Sequence, residues 1–423
     1  MPAQSAAPLA RELERALPVR PFSVVFWDGA RLAGTAPGPT FEVRSPNAVS
    51  RLLRAPGQLG LGRAYVADEL DIDDLDAVIS LLGTWDAPAL TFRQRTRLAR
   101  AAVRAGALRR PPPPPAAELQ PRGRLHSRER DARAVRHHYD VSNEFFALFL
   151  DESMTYSCAL FKHGARTLEE AQEAKLELIC RTLDLRPGGH VLDVGCGWGS
   201  FALHAAERHG VSVLGVTLSE PQAALARERV RAAGLEDRVD IQVRDYRDLG
   251  DERFDAVSSI GMVEHVGEER IDEYARILHG ALKPGGRLLN HGITRLMHYG
   301  HSEGDFTLRF VFPDGKLLHL DRVVGALERA GLETRHVESL REDYAETLRH
   351  WTVRLDENLD EARRLAGPER LRVWRLYLRA AGNGFDRRMT SVFQVLCERT
   401  TAEPRRPAEV AGWEVPEPAA AGV

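Results

Sequence analysis

A hydrophobic run, Val191-Leu192-Asp193-Val194, leads directly into Gly195-Cys196-Gly197-Trp198-Gly199 and then Ser200, the pattern of a buried strand feeding a tight turn and a helix. Glycines at 195, 197 and 199 permit positive φ and let a ligand approach the backbone where a Cβ would collide. The helix that begins near Trp198 turns its free N–H groups toward the same place. The spacing is G-x-G-x-G rather than the G-x-G-x-x-G of dinucleotide folds. The next strand, Val211 to Val216, ends in Thr217 and not in an acidic residue suited to a ribose hydroxyl. NAD is therefore disfavoured and S-adenosylmethionine (SAM) favoured, with a tight αβ turn that binds nothing as the plain alternative.

The surrounding chain repeats this alternation. Strands are expected at His190 to Val194, Ser212 to Val216, Val239 to Val243, Phe254 to Ser259 and Arg287 to His291, with helices at Phe201 to Arg208, Glu220 to Ala233 and Glu268 to Leu282. Such spacing predicts an α/β fold with a doubly wound, mainly parallel, Rossmann-like sheet. Lys283-Pro284-Gly285-Gly286 reads as a helix stop; a mixed stretch follows, then helical regions at Tyr344 to Leu365 and Pro368 to Arg379. At 423 residues the chain is long for one domain. Upstream, strands at Phe22 to Trp27 and Thr40 to Val43, with helices at Ser45 to Ala55 and Asp73 to Leu82 separated by the glycine-bearing Gln58 to Asp68, form a small α+β module. The expected organisation is an N-terminal domain over 1–108, an Arg/Pro-rich linker over 109–136, a catalytic domain over 137–401 and a disordered tail over 402–423.

Composition narrows the partners. The net charge of −3 gives no global attraction to nucleic acid, and the four cysteines show no C-x-x-C spacing, which suggests a reducing compartment and no structural metal. No apolar segment is long enough to span a bilayer, so the expectation is a cytoplasmic protein, soluble or peripheral on the inner face of the membrane. Arginines crowd the stretch from Thr91 to Arg136, among them Arg93, Arg95, Arg97, Arg100 and Arg104, and Pro111 to Pro115 interrupt them. This is either a solvated helix face or a basic surface for anionic phospholipid, with Leu90, Phe92, Leu98, Val103 and Leu108 as apolar contacts. Nucleic-acid binding is disfavoured, since no stacking platform or known module accompanies the run.

In an open α/β sheet the ligand lies beyond the carboxyl ends of the strands, here near Asp193 and Gly195 to Gly199, Thr217, Asp245 and Gly261 to Glu264. Asp245 could accept from an adenine amine or be a solvated loop acid, and Ser219 with Gln222 could simply cap a helix. Glu264 and His265 follow a strand end between two glycines, where a buried carboxylate must find donors. His291 on the next strand faces the same cavity or is a satisfied core histidine.

Taken in order, these segments resemble the cyclopropane-fatty-acyl-phospholipid synthase family and its mycolic-acid-modifying relatives. The resemblance runs through His138-Tyr139-Asp140-Val141-Ser142-Asn143-Glu144-Phe145-Phe146, Met154-Thr155-Tyr156-Ser157-Cys158, the Cys-Gly-Trp-Gly core, Gly215-Val216-Thr217-Leu218-Ser219, Asp245-Tyr246-Arg247-Asp248-Leu249, Gly261-Met262-Val263-Glu264-His265-Val266-Gly267 and Phe310-Val311-Phe312-Pro313-Asp314-Gly315. The N-terminal module, with Phe26-Trp27-Asp28-Gly29, is similar to the lipid-associated domain of full-length bacterial members. The resemblance implies a class I SAM-dependent methyltransferase in which Tyr156, Ser157, Asp193, Gly195, Gly197, Trp198, Gly199, Thr217, Leu218, Gln222 and Asp245 surround SAM. It implies that Glu264, His291 and Tyr344, with Cys158 and Ile293 contributing backbone groups, surround a bicarbonate. No metal is implied.

The implied reaction transfers a methylene group from SAM to the cis double bond of phospholipid acyl chains: the alkene attacks the methyl, and bicarbonate deprotonates the resulting cation as the ring closes. The family has at times been assigned a nucleophilic cysteine where this chain has Ala380-Ala381, so no covalent cysteine step is transferred. A methylene-branched product, methylation of a soluble small molecule and a non-catalytic lipid-binding protein are the alternatives. The resemblance is also compatible with a homodimer.

Overall fold

The computed structural model describes residues 5–107, 111–119, 130, 141–296, 305–313 and 315–401. Leu108, most of the 109–136 linker, His138-Tyr139-Asp140, Asp314 and the 402–423 tail lie outside the described residues. Contacts divide the chain into two compact units that do not follow it linearly. The first gathers 1–122, 301–313 and 351–384, and the second gathers 123–300, 314–350 and 385–423.

The first unit holds a four-stranded sheet in the order β2-β1-β3-β4, made of β1 (Ser23–Phe26), β2 (Arg31–Leu32), β3 (Thr40–Val43) and β4 (Leu70–Ile72). The Trp27-Asp28-Gly29 turn joins β1 to β2: Gly29 takes φ of 80°, and Asp28 accepts from the Ala30 and Ala6 amides. Contrary to the sequence reading, Gln58–Val66 is itself helical. Its glycines serve packing: a Cβ at Gly60 would lie 2.2 Å from the Ala55 carbonyl oxygen, and one at Gly62 would lie 2.2 Å from the Phe306 ring. The arginine-rich helix Phe92–Arg104 is closed at its start by a Thr91/Gln94 capping box. Leu98 is buried in the unit's core with Leu90 packed against that core, so neither is a surface contact, whereas Phe92 and Val103 are exposed.

The second unit is built on a seven-stranded sheet in the order β10-β11-β9-β8-β5-β6-β7. Its strands are β5 (His190–Val194), β6 (Ser212–Thr217), β7 (Val239–Val243), β8 (Phe254–Ile260), β9 (Leu282–Arg295), β10 (Leu332–Ser339) and β11 (Thr390–Arg399). β7, β6, β5, β8 and β9 run parallel; β11 lies antiparallel between β9 and β10, and β10 at the edge returns to the direction of the five. Side chains alternate across it: Leu192, Val194, Leu214 and Val216 enter one core, and Val191 and Val213 the other. Two findings extend the sequence reading. β9 runs far beyond Arg287 to His291 in both directions, taking in the Pro284-Gly285 bend. The mixed stretch supplies β10, whose polar alternation hides it among loop-like residues, and the residues after the last helix supply β11, a mostly buried strand. The helical region past Leu359 breaks at Gly367, with φ of 76°, immediately before Pro368. Among the described residues no helix is long and apolar enough to cross a membrane.

Candidate active site

The glycine turn is held by its own backbone. Gly195 and Cys196 both donate to the Val216 carbonyl on β6, and Gly199 donates back to Cys196. Gly195, Gly197 and Gly199 all have positive φ, between 53° and 81°. A Cβ at Gly195 would meet the Met262 side chain at 2.5 Å, whereas one at Gly197 would meet no protein atom within 4 Å. The turn is therefore a backbone cradle with room above its central glycine, beside the start of the Ser200–His209 helix. Trp198 is fixed alongside: its indole Nε1 donates to Asn143 Oδ1 at 2.7 Å, and its ring leans on Phe146, which in turn packs on Tyr156.

Beneath the cradle, Asp193 is buried on β5, and burial pushes its carboxyl up to about 7 against the pull of Lys175. Lys175 lies on the Leu168–Thr182 helix, is itself buried, and donates to Ser157 Oγ at 3.1 Å; burial pulls its ammonium down to about 8. Gln172, one turn earlier, donates to the Ser157 carbonyl at 2.9 Å. Sequence reasoning missed both residues. The signal was present, because Gln172 and Lys175 occupy the stripe of Leu168, Ala171, Leu176 and Ile179, where an amphipathic helix should be apolar.

At the ends of β6 and β7 the predicted residues are partly spoken for. Thr217 donates to Gln222 Oε1 at 3.2 Å, and Ser219 caps the Glu220–Ala232 helix by accepting from the Gln222 amide. Asp245 pairs with Arg247 through both oxygens, at 2.9 and 2.6 Å, so an adenine amine would share oxygens that already serve a guanidinium. Leu218 is half-buried just beyond β6.

A second cluster spans the ends of β8, β9 and β11. Glu264 Oε1 accepts from the Ile293 amide at 2.7 Å, while its Oε2 is sealed from solvent and has no partner. Burial raises this carboxyl to about 7. His291, two residues before Ile293 on β9, is buried, and burial drives its imidazole down to about 3, leaving it neutral. Its Nδ1 accepts from Gln394 Nε2 on β11 at 3.2 Å, which puts the ring proton on Nε2; that donor is buried and unpaired. Gln394 pairs with His291 in the sheet register and keeps its own Oε1 buried without a partner.

Cys158 and Tyr344 meet one strand away. The Cys158 thiol, buried and pushed well up by that burial, points at the Leu340 carbonyl at 3.6 Å, the oxygen that also accepts from the Tyr344 amide. The Leu340 amide donates to Val392, the β11 partner of Ile293. The Tyr344 ring packs on Phe385 at 4.7 Å. Backbone pairing links Tyr344, Leu340, Val392, Ile293 and His291 through one corner of the sheet, and the Glu264 carboxylate and the Cys158 thiol reach that corner through their side chains, the thiol also lying 3.1 Å from the Ala159 carbonyl.

The strand order with its antiparallel β11, together with the glycine cradle, defines a class I SAM-dependent methyltransferase fold. Residues 126–395 match the family model described as mycolic acid cyclopropane synthetase. The chain is 40% identical over 396 residues to a "probable fatty acid methyltransferase" of Mycobacterium tuberculosis, covering 91% of this chain and 92% of the relative. It is 34% identical over 380 residues to the cyclopropane-fatty-acyl-phospholipid synthase of Escherichia coli, covering 88% and 90%. Among solved structures it resembles the mycolic acid cyclopropane synthase CmaA1 complexed with SAH and CTAB, with TM-score 0.60 and 34% identity over 63% of this chain and 98% of that one. The chain belongs to the cyclopropane synthase family and is a SAM-dependent enzyme of the methyltransferase class that delivers one-carbon units to fatty acyl chains.

Proposed function

We propose that this enzyme converts the cis double bond of phospholipid acyl chains into a cyclopropane ring, with bicarbonate as proton acceptor. The observation that carries the reading is the pair of sealed, unpartnered atoms, Glu264 Oε2 and His291 Nε2, on a carboxylate held by the Ile293 amide and on a histidine two residues before it on β9. A buried acceptor and a buried donor without partners are each costly, and together they match a small planar acid anion. The acceptor Oε2 would accept a hydrogen bond from the hydroxyl of hydrogencarbonate, and the imidazole N–H would donate to one of its other oxygens. Bound there, bicarbonate supplies a base at a site where Glu264 is itself half-protonated near neutrality.

SAM supplies an electrophilic methyl group. With SAM bound, the alkene would take this methyl as its sulfur leaves as a thioether, and loss of one proton from the added carbon to the bound base would close the ring. The residues of the chain orient these partners and keep water from the cationic acyl chain. Gly195, Gly197, Asp193, Tyr156, Ser157, Trp198, Thr217, Gln222 and Asp245 would hold the nucleoside and amino-acid portions, and Tyr344 and Cys158 would complete the anion site. The names of the relatives support the acyl substrate and leave a second product open: loss of a different proton gives a methylene-branched chain, and a separate reductase would have to add two electrons and two protons to reach the methyl branch suggested by a relative named as a fatty acid methyltransferase. We assign docking on anionic lipid to the arginines of the Phe92–Arg104 helix, with Phe92 and Val103 exposed beside them.

The test incubates the protein with methyl-labelled SAM, bicarbonate and liposomes of cis-monounsaturated phospholipid. Gain of one CH2 with loss of the alkene signal supports cyclopropanation. The same gain with the alkene retained supports the branched product, and absence of label removes the phospholipid reading. Co-sedimentation with anionic but not neutral vesicles checks the docking surface.

A further inference from the structure

Away from this site, the Leu168–Thr182 and Ser200–His209 helices bring three side chains with metal-binding atoms together, with Glu177 beside two of them. Cys180 Sγ and one ring nitrogen each of His204 and His209 all lie within 4.8 Å of one another. Glu177 Oε2 sits 3.3 Å from His204 Nε2 and 3.0 Å from His209 Nε2. His209 ends its helix, roughly 15 Å along the axis from the glycine turn at the other end, so the cluster belongs to the amino ends of the strands and not to the reacting end.

We propose that Glu177, Cys180, His204 and His209 form a structural zinc site. Four features point to it. The donor set of one thiolate, two imidazoles and one carboxylate is that of tetrahedral zinc, and with the metal it sums to neutrality, as a half-buried site requires. The oxygen–nitrogen separations of 3.0 and 3.3 Å match the edge of a tetrahedron whose metal–ligand bonds are about 2.0–2.1 Å. Glu177 offers Oε2 to the cluster while Arg181 holds Oε1 at 2.7 Å, an outer hydrogen bond of the kind that orients a ligating carboxylate. Hydrogen bonds from the two imidazoles to Glu177 would by themselves leave the convergence of the Cys180 sulfur on both rings without a role.

Zinc would tie two helices of one layer together beside the core strands, a stabilising clamp that leaves the reaction chemistry alone. The test uses the full, tag-free chain stripped with a chelator and titrated with zinc chloride by calorimetry, then with cobalt. The expected result is one zinc per chain, a raised Tm, and a cobalt form with tetrahedral d–d bands and a thiolate charge-transfer band. Cys180→Ser should abolish the charge-transfer band, and His209→Gln, at a partly exposed position, should weaken zinc binding at least tenfold. Absence of saturable uptake by the wild-type chain overturns the proposal. So does uptake without the thiolate band, or uptake that both folded variants leave unchanged; the wild-type cobalt spectrum decides even where a variant fails to fold.

Discussion

The Asp193–Lys175 region and the Glu264–His291 region bury similar chemistry a few strands apart and resolve it differently. Asp193 faces an opposite charge: Lys175 draws its carboxyl toward ionisation, and Asp193 in turn supports the ammonium. At Glu264 no cation compensates, and a carboxylate oxygen and an imidazole nitrogen stay sealed without partners. The first arrangement stabilises the floor of the cofactor cradle within the protein itself. The second leaves an acceptor and a donor unpaired by the protein, and the proposed anion site rests on that pair.

The largest effect should come from breaking the incomplete site. Glu264→Gln keeps size and an acceptor for the Ile293 amide but removes the ionisable oxygen. It should lower kcat about 10²–10³-fold with the KM for SAM unchanged, measured by labelled-methyl incorporation. An undiminished kcat would separate Glu264 from the chemistry and erase the contrast between the two regions.

Breaking the compensated region should instead cost stability. Lys175→Met removes a cation supported by Asp151 and Asp193 and leaves the buried Ser157 hydroxyl without its donor, and it should destabilise the fold by about 1–3 kcal/mol in denaturant unfolding. The double variant with Asp193→Asn should recover much of that loss. If the two substitutions add, the groups are independent and the pairing is wrong.

Titration sharpens the same comparison. Glu264 titrates near 7 in the folded protein against 4.5 for an ordinary glutamate, so the native state holds its proton more tightly. Its contribution to stability is greatest below about 4.5 and is lost as pH rises toward 7. His291, lowered from 6.5 to about 3, acts oppositely: the unfolded chain binds the extra proton, and stability rises with pH between those values. The two slopes oppose each other in the wild type. Glu264→Gln removes only the falling one, so its stability relative to wild type should climb by about 3 kcal/mol from pH 4.5 to 7 in bicarbonate-free buffer and then level off. A pH-independent difference would mean that the carboxyl is not desolvated.

Much of this was legible beforehand for a physical reason. The glycine turn, the parallel strands and the Glu264-His265 insertion are local patterns in which backbone conformation and burial depend on neighbouring residues. What escaped depends on partners far along the chain. Gly60 and Gly62 read as a loop because the atoms that require glycine, an Ala55 carbonyl and the Phe306 ring, are not implied by helix periodicity. Lys175 and Gln172 were visible as polar residues in an apolar stripe, but what they meet is supplied by Ser157, Asp151 and Asp193 on other elements. Leu98 read as a surface contact because the arginines around it concealed its turn toward the core. The site residues of the resemblance came from motif order, and spacing alone gave no hint that Asp245 would be engaged by Arg247.

Gln394 is the sharpest case, because its place opposite His291 exists only through the antiparallel β9–β11 register, 103 residues apart in sequence. As an amide it donates to Nδ1 and so leaves Nε2 as the unpaired donor on which the proposed anion site rests. Gln394→Met removes that preference and lets either tautomer form, which should lower kcat about tenfold, the scale of one neutral hydrogen bond. Gln394→Glu does something different. A carboxylate accepts from Nδ1–H, which favours the opposite neutral tautomer or draws a second proton onto the ring, so the loss should exceed that of the methionine variant and change with pH. Nitrogen-15 shifts of the His291 ring distinguish the tautomers directly. If both variants retain the Nε2–H form, the sheet and not Gln394 sets the imidazole, and the unpaired donor that distinguishes this region from Asp193–Lys175 has another origin.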